Sequence, residues 1–155
     1  MKAFRIANAK HTVFDGTGSE RFGARWNSAG RKVIYGADSF ALAMLERLAN
    51  TATGEMPIGD NFIEIEIPEA VAVETFNPSR HSGWDGPTKA QTVSRAFGDR
   101  WYDEGRSAVL VVPSAVTKLD RNLVINPKHP QFKLIKASAE KPVTWDRRLF
   151  GGGKR

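Results

Sequence analysis

The chain has 155 residues, 41% of them hydrophobic and 26% charged, which is the length and composition of one ordinary globular domain. Lysine plus arginine (23) exceed aspartate plus glutamate (17), so the net charge is +6, and there is no cysteine. The missing cysteines exclude a disulfide scaffold, a cysteine-held zinc, an iron–sulfur cluster and a catalytic thiol. No apolar run approaches the roughly 20 residues of a membrane helix, and the opening MKAFRIANAK has no apolar signal core. The expected setting is the cytoplasm, with no membrane attachment.

In chain order, Met1–Ala7 alternates as a short strand does, and His11–Gly30, rich in Gly, Ser and Asn, reads as a long loop. Lys32–Tyr35 is a short strand. Asp38 or Ser39 caps a helix running from Ala41 to Leu48, with Leu42, Leu45 and Ala49 on one face. Asn50–Asp60 is a loop. Phe62–Pro68 is the clearest strand, because Ile63, Ile65 and Ile67 alternate with Glu64 and Glu66 until Pro68 stops it. Phe76–Pro87 is another long connection. Thr88 starts a second helix whose apolar stripe is Ala90, Val93, Phe97 and Trp101, and Gly105 ends it. Ser107–Val112, Leu123–Asn126 and Phe132–Ile135 are further strands, and GGGKR (151–155) is a flexible tail after a domain spanning 1–150. This order favours a single-domain α+β fold with a mixed or mainly antiparallel sheet and a few helices.

Most motifs reduce to ordinary structure. The basic residues are dispersed rather than clustered, so a basic nucleic-acid-binding module is a minor alternative. Gly16-Thr17-Gly18 is followed by Arg21 where a dinucleotide fingerprint needs glycine. His11, His81 and His129 lie far apart in loops, and no metal site is expected. Glu64 and Glu66 read as a solvated strand face. Ser114 lacks the surroundings of a hydrolase nucleophile, though its hydroxyl can contact a substrate.

Gly23–Gly30 is harder to reduce, because it places Arg25, Trp26 and Asn27 inside a glycine-rich loop. Arginine presents a planar fork of donors that suits a diphosphate. Tyr35 follows at a strand end, and Glu46 interrupts an otherwise apolar helix. A half-buried carboxylate there implies either an ion pair with some arginine or a functional site.

These residues together resemble the RES domain, a family named for an Arg, a Glu and a Ser. Gly23-Ala24-Arg25-Trp26-Asn27 with Gly30 matches its G-x-RWN-x-x-G element. Tyr35, Ala43-Met44-Leu45-Glu46, Val112-Pro113-Ser114-Ala115-Val116, Asn122–Pro127 and His129-Pro130 follow in the family's order. Two positions depart from the pattern: Ala24 stands where many members have glycine, and Asn50 where some have histidine. The resemblance implies a fold like that of ADP-ribosyltransferases and a toxin of a type II toxin–antitoxin pair, blocked by an Xre-like antitoxin. It implies NAD as substrate rather than as a resident cofactor. The reaction would be cleavage of the nicotinamide–ribose bond, with phosphate or water as acceptor. The alternative is transfer of ADP-ribose to a host protein. Carried over, the catalytic residues would be Arg25, Tyr35 and Glu46, and the NAD contacts Arg5, Arg25, Tyr35, Ser114 and Asn126. The chemistry suits these residue types, since glycosidic cleavage builds positive charge on the ribose and a fixed carboxylate stabilises it. Nicotinamide leaves as a neutral molecule, so no strong general acid is required.

Overall fold

The computed structural model describes residues 1–51, 54–87 and 91–151. Its strands are β1 (Lys2–Asn8), β2 (Ile34–Ala37), β3 (Asp60–Glu66), β4 (Val73–Thr75), β5 (Val109–Pro113), β6 (Arg121–Ile125), β7 (Lys136–Ala137) and β8 (Lys141–Pro142). Among the described residues they join one sheet in the order β4-β5-β6-β2-β1-β3-β7, with β8 also on β3. Only β4 and β5 run parallel, so the sheet is mixed. Three α-helices accompany it among the described residues: α1 (Thr17–Phe22), α2 (Phe40–Ala49) and α3 (Thr92–Glu104). The α+β expectation holds.

The period-two pattern explains the layers. On one face Ala3, Ile34, Ile63, Ile65, Val109, Val111, Leu123 and Ile125 form a continuous aliphatic cluster. The alternate residues face the other way and divide into two groups. Leu110, Val112 and Val124 pack with Trp26, Phe76, Trp84 and Trp101, under α3 and the Gly23–Gly30 loop. Ile6 and Ala37 pack with Leu42 and Ala43, under α2. Because β5 is buried on both faces, its sequence is the uninterrupted run Val-Leu-Val-Val. A cleft opens between the two groups on the second face.

Several elements differ from the sequence expectation, each for a physical reason. The stretch read as loop from His11 to Gly30 contains α1. It is six residues long, too short for periodicity to reveal, and is held from outside: Ser19 Oγ lies within hydrogen-bond distance of the Val33 carbonyl (2.5 Å) and accepts from the Val33 N–H (3.2 Å). The expected strand at Phe132–Ile135 is instead a 3-10 turn over Pro130–Leu134, wound by Pro130 at its start and by the His129 ring accepting from the Gln131 N–H. The strand expected at Lys32–Tyr35 is shifted along the chain, to Ile34–Ala37. Strands β4, β7 and β8 are two or three residues long and carry no sequence signal. The proposed helix start at Thr88, with Ala90 of its stripe, lies outside the described residues, as does the tail beyond Gly151; α3 is described from Thr92.

Helix α2 shows the largest difference. Leu45, assigned to the buried face with Leu42, is 43% exposed, and Ala41, Leu45 and Ala49 form an outward stripe. Glu46 and Arg47 turn inward with Leu42 and Ala43. The reason is an ion pair at the head of β3. Arg47 donates Nε to Asp60 Oδ2 (2.8 Å) and Nη2 to Asp60 Oδ1 (3.0 Å), and the Asp60 side chain is fully buried.

Helix α3 and the Gly23–Gly30 loop touch backbone to backbone at Gly98, where an added Cβ would overlap the Trp26 carbonyl oxygen. An exposed Gly→Ala in a helix gains about 1 kcal/mol. Here Gly98→Ala is expected to lower stability by about 3 kcal/mol, because neither backbone can yield without displacing the loop. Denaturant unfolding of the purified variant checks the sign.

Candidate functional site

The cleft on the second face is a cavity of about 900 Å³. That is at the upper end of ligand-pocket sizes, on the scale of a dinucleotide rather than of a small metabolite. Its walls include Arg5, Arg25, Tyr35, Glu46, Asn122 and Val116.

Arg25 comes from the Gly23–Gly30 loop, and the loop's construction explains why its side chain stays at the cavity wall while the Trp26 and Asn27 side chains are buried. Gly23 has φ of +69°, and a Cβ there would lie 2.9 Å from the Asn27 carbonyl oxygen, so the chain can turn back on itself only with glycine. The turn is closed by the Ala24 N–H donating to the Asn27 carbonyl (2.9 Å). Trp26 is buried against Phe76 and Trp84. Asn27 is fully buried, and its Nδ2 donates to the carbonyls of Ser19 and Arg31, both at 2.9 Å. Arg25 is left at the cavity wall, with Nη1 donating to the carbonyls of Trp84 (3.1 Å) and Gly86 (2.9 Å). Burial lowers its pKa from the ordinary value, opposed by Asp85 and Glu46, and it stays a cation at any working pH. Among the described residues, its Nε and Nη2 have no protein partner.

Tyr35 projects from β2 into the wall, but its hydroxyl belongs to the loop. It donates to Asn27 Oδ1 (2.7 Å) and accepts from the Trp26 N–H (3.2 Å). Burial pushes the phenol pKa far above its ordinary value, so it is un-ionised and offers the cavity a ring surface rather than an acid.

Glu46 enters from α2. Its Oε1 accepts from Ser114 Oγ (2.7 Å) and from Asn122 Nδ2 (2.6 Å). No cation lies within ion-pair distance among the described residues, so the alternative that Glu46 pairs with an arginine is not what the structure shows. Its Oε2 has no partner among them.

The other expected substrate contacts are placed differently. Ser114 is fully buried; its oxygen accepts from the backbone N–H groups of Val116 (3.1 Å) and Thr117 (3.2 Å), and its proton goes to Glu46. It stands behind Glu46, not on the cavity wall. Asn126 lies ~13 Å further along the strand from Asn122, at four residues' rise. It is buried away from the cavity, and its Oδ1 accepts from the Lys128 N–H (2.9 Å). Arg5 does line the cavity, but Nε, Nη1 and Nη2 donate to the carbonyls of Val13 (2.7 Å), Tyr35 (2.9 Å) and Asp15 (3.2 Å). Arg47, also in the wall, is taken by Asp60. Among the described residues, Arg25 is therefore the lining arginine with whole nitrogens, Nε and Nη2, left without a protein partner. Asn50, one turn after Glu46, lines the rim and donates Nδ2 to the Glu46 carbonyl (2.8 Å). No three His, Asp or Glu side chains gather as a metal site would need, among the described residues.

Asn122 is the residue that sequence reasoning missed, although its segment was part of the resemblance. The available signal was asparagine at an inward position of a central strand, on the same face as Val124, where this residue type is depleted.

Comparison with known proteins accords with this architecture. A family model described as the RES domain matches residues 2–146. The chain is 38% identical over 154 residues to the "Prs ADP-ribosylating toxin" of Sphingobium sp. (strain YBL2), with 95% of each chain covered. It is 35% identical over 137 residues to "Toxin Res" of Pseudomonas putida, covering 87% of this chain and 91% of that one. Among solved structures, the M. tuberculosis MbcT–MbcA toxin–antitoxin complex contains a chain of the same fold. Its TM-score is 0.74 over 92% of this chain and 84% of that chain, at 22% identity. On the match to residues 2–146 and on these relatives, the chain belongs to the RES domain family of toxins.

Proposed function

We propose that the protein is the toxin of a toxin–antitoxin pair and that it consumes NAD by breaking the nicotinamide–ribose bond. The observation that carries this reading is the Glu46 carboxylate. One of its oxygens is fixed by Ser114 and Asn122, and the other is unpartnered among the described residues, in the wall of a cavity that Arg25 also lines.

The step is a heterolysis. The C–N bond electrons leave with nicotinamide, which departs neutral, and positive charge develops on the ribose carbon. An oxygen of phosphate or water then forms the new bond at that carbon, and water loses a proton in doing so. A preorganised carboxylate stabilises this charge more in the transition state than in the ground state. Arg25 is suited to the diphosphate, and the Tyr35 ring to stacking against the nicotinamide or its ribose. An antitoxin partner is supported by the toxin–antitoxin complex in which the same fold occurs, and in this proposal it lies over the cavity.

A second reading shares the bond broken and differs in the acceptor: ADP-ribose passes to a host protein. The relative named as a Prs ADP-ribosylating toxin, at 38% identity, favours it. Purified protein freed of any partner, incubated with adenine-labelled NAD, separates the two. Free ADP-ribose or its phosphate supports degradation, and label on a protein supports transfer. NAD left intact in the presence of phosphate and of cell extract overturns both.

Glu46→Gln keeps the size of the side chain and removes the charge. It is expected to reduce NAD turnover by roughly a hundredfold or more, with the melting temperature within a few degrees of the parent. Arg25→Lys is expected to raise KM for NAD more than it lowers kcat, because the fork is lost and the charge kept. Tyr35→Phe keeps the ring but leaves the buried Asn27 Oδ1 without its donor. It should cost about 1–2 kcal/mol of stability and far less activity than Glu46→Gln, measured by denaturant unfolding beside NAD turnover.

A further inference from the structure

We infer that Asn122 is a positioning residue that holds Glu46 in its working rotamer, acting with Ser114 as a clamp on one carboxylate oxygen. The inference rests on the reading of Glu46 given above and goes beyond it by assigning the device that aims the charge.

The clamp is directional at both points. The Ser114 oxygen already accepts from two backbone N–H groups, so its single proton is committed to Glu46 Oε1. Asn122 supplies the second donor at 2.6 Å from a position of low freedom. Its Cα partners are Ala37 on β2 and Val112 on β5, so the strand beneath it is paired on both sides. Two donors saturate Oε1, and Oε2, without a partner among the described residues, is left as the free oxygen of a side chain that lines the cavity. Both donors are neutral. An arginine in either place would orient the carboxylate equally well but would cancel the charge that the cleavage needs. The charged groups nearest Glu46 fit this division. Arg47, its neighbour on α2, is held by Asp60, and Arg25 acts on it only at a distance, across the cavity.

The test compares wild-type protein, Asn122→Ala and Asn122→Asp in NAD turnover, at saturating and subsaturating NAD and across a range of pH, with melting temperatures recorded. Asn122→Ala is expected to lower kcat by about tenfold or more, the scale on which a supporting hydrogen bond acts, with KM for NAD changed by less than about threefold. Asn122→Asp carries the sharper signature. At low pH its protonated carboxyl donates an O–H to Oε1 as the amide does, and turnover stays near wild type. As the pH rises the introduced carboxyl loses its proton, two like charges then face each other, and Glu46 swings from its position. The ratio of Asn122→Asp to wild-type kcat should therefore fall by about tenfold or more with rising pH. A ratio that does not change with pH, or an Asn122→Ala kcat equal to wild type, overturns the inference. If Asn122→Ala fails to fold, the isosteric Asn122→Asp decides alone. Wild-type protein that leaves NAD intact overturns the reading of Glu46 and this inference with it.

Discussion

The site depends on one ion pair that contains none of its reactive atoms. Arg47 grips both oxygens of the fully buried Asp60, and in doing so sets the rotation of α2 about its own axis. An amphipathic helix of this composition would ordinarily turn Leu42 and Leu45 to the sheet and leave Glu46 on the flank. The pair at the head of β3 overrides that preference: it draws Arg47 inward, carries Glu46 with it and turns Leu45 out to solvent. Removing one partner from a buried pair strands a charge and typically costs several kcal/mol, so this rotation is strongly enforced. Thr51 adds to it by accepting from Arg47 Nη1 at 3.2 Å.

The opposite wall is set by a different logic. The Gly23–Gly30 loop has no regular structure of its own and is made rigid by side chains that fill its interior. Asn27 satisfies the backbone carbonyls around it, and Tyr35 closes the circuit from β2 by bonding to both Asn27 and the Trp26 N–H. Asp99 on α3 accepts from the backbone N–H and the hydroxyl of Ser28, at 2.7 and 2.5 Å. The loop is therefore pinned to the sheet on one side and to α3 on the other, and Arg25 inherits that rigidity. Asn27 and the Tyr35 hydroxyl both bond to the loop rather than to the cavity.

What was legible in the sequence follows from which signals are local. Strand β3 was plain because its isoleucines alternate, and β5 because it is apolar throughout. Arg25, Tyr35 and Glu46 could be named because they interrupt patterns: a cation in a glycine loop, an aromatic at a strand end, a carboxylate in an apolar helix. The cavity does receive all three. The rest was hidden because it is set by partners distant along the chain. Ser114 reads as a hydroxyl at a strand end, and only the fold shows its lone pairs filled by Val116 and Thr117. Asn122 lies within β6 and Asn126 one residue past its end, and the choice between them depends on where α2 crosses. Helix α1 owes its form to contacts with Val33 and Asn27 rather than to its own residues.

The charge of +6 gains meaning from where the cations go. Many of them are matched locally: Arg31 with Asp99 and Asp103, Lys32 with Asp15, Arg106 with Glu74 and Glu104, Lys118 with Asp85, Arg121 with Asp38. Exposed pairs of this kind contribute little stability each, but each ties down a cation that could otherwise bind an anion nonspecifically. Within the cavity the same sorting is stricter, since Arg5 is held by backbone carbonyls and Arg47 by Asp60. Among the described residues Arg25 is left with donors that have no protein partner, and Glu46 with one oxygen held by neutral groups and the other unpartnered. A cation and an anion that face one cavity without neutralising each other can act on different parts of one bound molecule. A dinucleotide that is anionic at its diphosphate and becomes cationic at its ribose presents that pair of demands.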